Sequence, residues 1–387
     1  MISVVTRREN VVRSVNMLDL KAEYELFRDE IRAAVDSVLE NQQFIGGPAV
    51  AELERALASR VNVAHAVAVS NGTDAVLCAM MALEIGRDDE VIVPPFTFFA
   101  TAGAVARLGA KPVFVDIDAR TFNLDATKIE AAVTPKTKAI VAVHLFGQCA
   151  DMDAIHTIAR RHHLKVIEDA AQAIDAKYKG RLAGTLGDIA SLSFYPTKNL
   201  GGFGEGGMIL ANDERLAALC KQLRNHGESQ RYYHDRVGGN FRLDTMKAAI
   251  LLVKLARLDD FTRRRRRYAA QYDALLASSP VTTPFVGADC EHVYHQYSIL
   301  SDRRDELMAY LRDRGVACGV YYPVPLHLQK CFADLGYKAG SLPVTEATCK
   351  RILSIPCHPM LTEDDVDYAA ECIGEFFDPS RDRKGAG

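Results

Sequence analysis

What the chain lacks narrows it first. No apolar stretch approaches the roughly 20 residues that a bilayer span needs, so no membrane association is expected. Met1 to Arg13 is polar and basic with no apolar centre; it reads as a loose tail rather than a secretory leader. Nine cysteines are scattered without one C-x-x-C pair, which argues against a disulfide framework and against a zinc site, and fits a reducing, cytoplasmic compartment. Charge of neither sign dominates: the formal net charge is −3, which offers nucleic acid nothing to bind. Internal repeats, low-complexity tracts and the G-x-x-x-x-G-K-[ST] phosphate loop are also missing.

What is present is ordinary globular composition, 48% apolar and 25% charged, over 387 residues, enough for two domains and a large core. Met17 to Leu57 is mostly helical by spacing, interrupted at Gln43-Phe-Ile-Gly-Gly-Pro48. From residue 64 short apolar runs alternate with amphipathic helices. Strands are predicted at 64–69, 90–93, 111–116, 139–144, 165–169 and 189–194, with helices near 74–83, 99–108 and 152–161. That rhythm predicts an α/β fold, a mostly parallel sheet covered on both faces, with ligands beyond the carboxyl ends of its strands. A long helix is predicted from Thr245 to Tyr272, then a smaller α+β region with strands at 295–300 and 316–320 and helices near 304–312 and 363–377. The expected division is a tail over 1–15, a large domain over 16–257 and a small C-terminal domain over 258–387. Arg263 to Arg267 lies on the long helix and reads as a solvated, salt-bridged surface.

Four features carry chemistry. Ser70-Asn-Gly-Thr-Asp74 joins a strand to a helix, so Gly72 and Thr73 either cap that helix or hold a phosphate at its N-terminus. Phe98 or Phe99, after the next strand, is a core aromatic or a surface for a flat ring. Asp169 ends an apolar strand and needs a cation or donors: a protonated pyridine nitrogen, an arginine or a helix terminus. Gln172 follows it within one turn. Lys198 comes after Tyr195-Pro196 and before a run of glycines, Gly201 to Gly207. It is a mobile surface lysine or an amine presented to a carbonyl ligand. Ser193 is a second phosphate donor. Taken in order, these are the parts that hold pyridoxal 5′-phosphate.

Ser70-Asn-Gly-Thr-Asp74, Glu168-Asp-Ala-Ala-Gln172, Phe194-Tyr-Pro-Thr-Lys-Asn-Leu200, Gly239-Asn-Phe-Arg-Leu-Asp244 and Tyr322-Pro-Val-Pro-Leu-His327 resemble, in sequence and order, the motifs of the DegT/DnrJ/EryC1/StrS nucleotide-sugar aminotransferases. The resemblance spans roughly residues 16 to 380. It implies the aspartate-aminotransferase-like architecture (pyridoxal-phosphate fold type I), with a mostly parallel mixed sheet between helices. It makes Lys198 the cofactor lysine and proton shuttle, and Asp169 the partner of the pyridine nitrogen. Gln172 would lie by the ring's phenolic oxygen, Phe98 would stack on the ring, and Gly72, Thr73 and Ser193 would hold the phosphate. Asn240, and with it Arg242, would reach the neighbouring subunit's cofactor in a homodimer, while Tyr322 and His327 would line the sugar-nucleotide cleft. The implied partners are a nucleotide-linked keto-sugar and glutamate with 2-oxoglutarate. Details of Phe146-Gly-Gln-Cys-Ala-Asp-Met-Asp153 and 235–244 favour a 3-keto over a 4-keto sugar. Two departures from the family pattern are Lys247, where glutamine is usual, and the extra glycines of 202–207. Some relatives carry histidine in place of the lysine and are dehydratases; Lys198 argues for transamination. The rival readings are a ligand-sensing regulator on the same fold and an NAD-dependent oxidoreductase. The second fails because glycines 202–207 lead into an extended apolar run rather than a helix.

Overall fold

A computed structural model describes residues 13–378. Residues 1–12, most of the expected tail, lie outside the described residues. Arg13 to Val15 are held in place: Arg13 pairs with Asp365 at 2.8 Å, and Val15 is buried and bridges Val316.

Helix α1 (Leu20–Asn41) starts at Asp19, whose side chain accepts from Ala22 N, and α2 (Pro48–Val61) starts on a proline, which has no N–H to leave unpaired. The alternating rhythm follows. It runs β1 (His65–Val69), α3 (Gly72–Ala82), β2 (Glu90–Val93), α4 (Ala100–Arg107), β3 (Lys111–Phe114), β4 (Thr137–Val143), α5 (Met152–His162) and β5 (Lys165–Asp169). Two short strands, β6 (Lys177–Tyr178) and β7 (Arg181–Leu182), precede β8 (Ile189–Ser193), β9 (Gly207–Ala211) and α6 (Glu214–Arg224). A small hairpin, β10 (Glu228–Gln230) and β11 (Tyr233–His234), leads to α7 (Thr245–Leu255) and α8 (Leu258–Leu275). The remainder is β12 (Cys290–Glu291), β13 (Tyr297–Leu300), α9 (Arg304–Asp313), α10 (Pro343–Arg351), β14 (Ile352–Ile355) and α11 (Glu363–Phe376).

The seven-stranded sheet runs β1-β9-β8-β5-β4-β2-β3. Only β9 opposes its neighbours, pairing antiparallel with β1 and with β8; every other pair is parallel. The carboxyl ends of β1, β2, β5 and β8 therefore open on one edge, bringing Ser70–Thr73, Thr97–Phe98, Asp169–Gln172 and Ser193–Lys198 to the same place. Apolar clusters pack on both faces of the sheet, and a separate cluster built on Tyr268, Tyr272, Tyr297, Ile299 and Leu353 fills the C-terminal part.

Three expectations need correction. The long helix breaks at Ala256–Arg257, where Arg257 leaves helical geometry. Asp259 and Asp260 then sit in the first turn of α8, where the helix dipole favours carboxylates. The 316–320 run forms no strand; it contributes single bridges, Val316 to Val15 and Gly319 to Ser354. The arginine run is not all surface. Arg263 and Arg264 pair with Asp260, and Arg266 and Arg267 reach Glu291 and Glu363, but Arg265 is buried and donates to the carbonyls of Tyr294 and Cys357.

Candidate active site

A cavity of about 470 Å³ opens at that sheet edge, and Gly72, Thr73, Phe98, Asp169, Gln172, Ser193, Lys198 and Tyr322 all line it.

One end of it is built by α3. Asn71 caps the helix, accepting from Asp74 N at 2.8 Å, which leaves the N–H groups of Gly72 and Thr73 with no intrahelical acceptor. They face the end of β8 at very close range: a β-carbon on Gly72 would lie 2.7 Å from Ser193 Cβ. Ser193 Oγ accepts from Tyr195 N at 3.3 Å and keeps its own proton to donate. Two N–H groups and two hydroxyls at a helix N-terminus can hold an anion, while the Asp74 carboxylate of the same turn is engaged by the Ser70 hydroxyl and the Asn71 amide.

The opposite wall carries the acid. Asp169 ends β5 nearly buried, and its Oδ2 accepts the Thr101 hydroxyl proton at 2.7 Å. Its neighbour Glu168 points the other way, fully buried, and accepts from the N–H groups of Gly184, Leu186 and Gly187 and from His144. Those bonds fix the strand end and so the direction in which Asp169 points. Gln172 Oε1 accepts from Phe146 N at 2.7 Å, and its amide donates to the Tyr322 hydroxyl at 3.2 Å. Burial pushes that phenol above its ordinary pKa, so it stays protonated.

Lys198 lines the same cavity. Its N–H closes a turn onto Tyr195 O at 2.8 Å, and a β-carbon on Gly201 would collide with Pro196 O, so the first glycine of the run is needed for the chain to fold back. Lys254 supports the loop from behind, donating to Gly201 O while pairing with Glu23. Burial pushes the Lys198 ammonium down to about 8, with the negative charge of Asp169 opposing that shift. This amine is neutral in useful amounts near neutral pH, as a nucleophile must be.

Three expected residues stand apart. Asn240 is exposed and pairs through its backbone with Asn225, and Arg242 donates to Asn225 Oδ1 at 2.6 Å; neither lines this chain's cavity. His327 does not line the cavity either. It is 1% exposed, packs against Phe114 and Tyr337, and meets Glu346 at 3.1 Å, so here it is an interior residue. Residues that sequence reasoning missed include Thr101, Glu205, His295 and Met17, all within or against the cavity. Thr101 and His295 belong to no motif, and no spacing would have found them.

The donor set fits a phosphorylated pyridine aldehyde. The Gly72–Ser193 cradle suits its phosphate, Asp169 suits a ring N–H⁺, Lys198 suits its carbonyl, and Phe98, 56% exposed, offers a ring face.

Comparison with known proteins agrees. A model of the DegT/DnrJ/EryC1/StrS aminotransferase family matches residues 26–374. The chain is 52% identical over 367 residues to a pleiotropic regulatory protein of Geobacillus stearothermophilus, covering 94% of this chain and 99% of that one. It is 46% identical over 347 residues to the UDP-2-acetamido-2-deoxy-3-oxo-D-glucuronate aminotransferase of Pseudomonas aeruginosa, covering 90% and 96%. The crystal structure of S. venezuelae DesV in complex with a ketimine intermediate aligns with a TM-score of 0.92 at 41% identity, covering 94% and 98%.

Proposed function

The chain belongs to the DegT/DnrJ/EryC1/StrS aminotransferase family, and on that premise we propose that it moves an amino group from L-glutamate to the 3-keto position of a nucleotide-diphosphate-linked sugar. It is a nucleotide-sugar transaminase, and pyridoxal 5′-phosphate is its cofactor. The observation that carries the reading is one cavity holding an anion cradle, a fixed carboxylate and an amine of lowered pKa. The 3-keto assignment is supported by the 3-oxo sugar in the name of the P. aeruginosa relative. The product serves amino-sugar biosynthesis for a surface glycan or a secondary metabolite, in the cytoplasm. No helix among the described residues is long and apolar enough to cross a membrane.

In this reading each side chain has one task. Gly72, Thr73 and Ser193 bind the phosphate. Asp169, aimed by Thr101, holds the proton on the pyridine nitrogen, and the bound cofactor supplies an electron sink for carbanion charge. Lys198 Nζ takes and returns the migrating proton. Gln172 orients the Tyr322 hydroxyl, and Phe98 covers the ring and excludes water. Asn240 and Arg242 serve the site of a second copy in a homodimer. The large domain over 16–257 carries the cofactor, and 258–387 forms the small domain.

The name of the G. stearothermophilus relative favours one second reading, a regulator on the same fold. One assay set separates them. Purified chain, glutamate and a panel of nucleotide-linked 3-keto and 4-keto sugars should release 2-oxoglutarate with a 3-keto member, and Lys198→Ala should abolish release. Binding without turnover across the whole panel would support the regulator.

A further inference from the structure

Lys254 is an interior lysine, 4% exposed, in the last turn of α7, and it does not line the cavity. A buried ammonium is costly unless its protons are met. Nζ donates to Gly201 O, the Glu23 carboxylate stands 2.5 Å away, and the centre of the Phe203 ring lies at 5.7 Å. Each ion also occupies the favourable end of its own helix. Glu23 is in the first turn of α1, where the dipole is positive, and Lys254 is in the last turn of α7, where it is negative. The charge is thus well held, and what it grips is one backbone oxygen. Gly201 O has no other donor among the described residues.

That oxygen belongs to the loop that presents Lys198. Gly202 N donates to Phe194 O at 2.8 Å, joining the two ends of the loop, and Lys198 N donates to Tyr195 O within it. Gly201 presses on Pro196, two residues before Lys198, so closely that no β-carbon fits between them. Tyr24, the residue after Glu23, meets Phe203 with ring centroids 5.9 Å apart, so α1 also bears on the loop directly. We propose that the Glu23–Lys254 pair positions the reactive amine: Lys254, anchored by Glu23, holds Gly201 O and with it the closed loop on which Lys198 stands. Lys254 acts through the backbone alone and reaches no reacting atom. A loop released at Gly201 admits water to Lys198, and the amine then loses the burial that lowers its pKa.

The inference rests on Lys198 being the reactive amine, and its test reads that lysine without turnover. Glu23→Gln/Lys254→Met removes one charge of each sign and keeps the side-chain lengths, a change that buried ion pairs often tolerate. Glu23→Gln alone keeps an acceptor for Lys254 and so the hold on Gly201. The titratable groups that line the cavity with Lys198 are Asp169, Tyr195, Glu205, His295, Tyr321, Tyr322 and Cys357, and none is altered. Full-length chain freed of cofactor is acetylated competitively with acetic anhydride from about pH 6 to about pH 10, and labelling of Lys198 is read by peptide mass spectrometry. The double replacement should raise the half-labelling pH by about one unit, and Glu23→Gln should leave it within about 0.3 unit of the parent. Hydrogen exchange should quicken in peptides covering 194–206 and stay as in the parent over β4 and β5. An unchanged midpoint in the double variant overturns the proposal, as does an equal rise in Glu23→Gln. Loss of protection across the whole sheet overturns it too, because the pair would then hold the fold rather than the loop. Reduction of the cofactor-loaded chain with borohydride tests the premise separately. A tag on a lysine other than Lys198 would remove the catalytic reading while leaving the effect on the loop measured.

Discussion

Thr101 donates its hydroxyl proton to Oδ2 of Asp169 at 2.7 Å, tying the first turn of α4 to the end of β5. The bond reaches across β4, which lies between β5 and the strand β2 that leads into α4. It leaves Oδ1, which has only a long contact of 3.3 Å from Ala171 N, to serve a ligand. Thr101→Val preserves shape and deletes the bond. A hydrogen bond to a charged acceptor is worth roughly 1.5–3 kcal/mol, so turnover should fall about 10-fold or more, with recovery in Thr101→Ser. Steady-state release of 2-oxoglutarate measures it.

Gly72→Ala forces a β-carbon to within 2.7 Å of Ser193 Cβ, and either the start of α3 or the end of β8 must move. Overpacking of this kind costs about 1–3 kcal/mol, so the cofactor Kd should rise roughly 10- to 100-fold. Adding Ser193→Gly relieves the collision and should recover part of the affinity in an absorbance titration.

The pH dependence of cofactor capture follows from Lys198. Its pKa is lowered from 10.5 to about 8, so the neutral amine dominates above about 8 and is lost as pH falls through that value. The capture rate of the stripped chain should climb about tenfold per unit below about pH 7 and level above about pH 9. A rate still rising near pH 10 would mean an ordinary, solvated lysine.

Arg265→Met leaves the buried carbonyls of Tyr294 and Cys357 without their donor. It should destabilise the fold by about 2–4 kcal/mol in urea denaturation. Arg267→Ala, on the exposed side of the same run, should stay within about 0.5 kcal/mol.

Asn240, exposed and outside its own chain's cavity, is the test of a shared site. Lys198→Ala and Asn240→Ala chains, each inactive alone, should regain partial activity when mixed after dissociation. Unchanged inactivity would confine Asn240 to a structural role.

The sheet was legible because each buried strand is a continuous apolar run, and the site because its pieces follow strand ends. Residues that act through the third dimension were not. Thr101 sits inside a helix with no motif around it, and His295 joins the cavity from the C-terminal part of the chain. His327 lies within a family motif, yet Phe114 and Tyr337 hold it in the interior. Arg265 could have been found: Phe261, Arg265, Tyr268 and Tyr272 share one face of α8 at helical spacing, which marks that arginine as inward. Five arginines in a row hid the stripe.

The antiparallel strand β9 sets an order of assembly. β1 lies at the edge of the sheet, and its only strand partner among the described residues is β9, which joins Val69 to the far later Gly207. Until the ribosome has released Ala211, β1 has no ladder to enter and β8 keeps an open edge. The Gly72–Ser193 pair therefore cannot be closed before β9 exists, because β1 and β8, which lead to its two sides, both pair with that strand. A nascent chain arrested before β9 would present two unpaired apolar edges and no phosphate pocket, which makes cofactor capture a report that synthesis has passed that point.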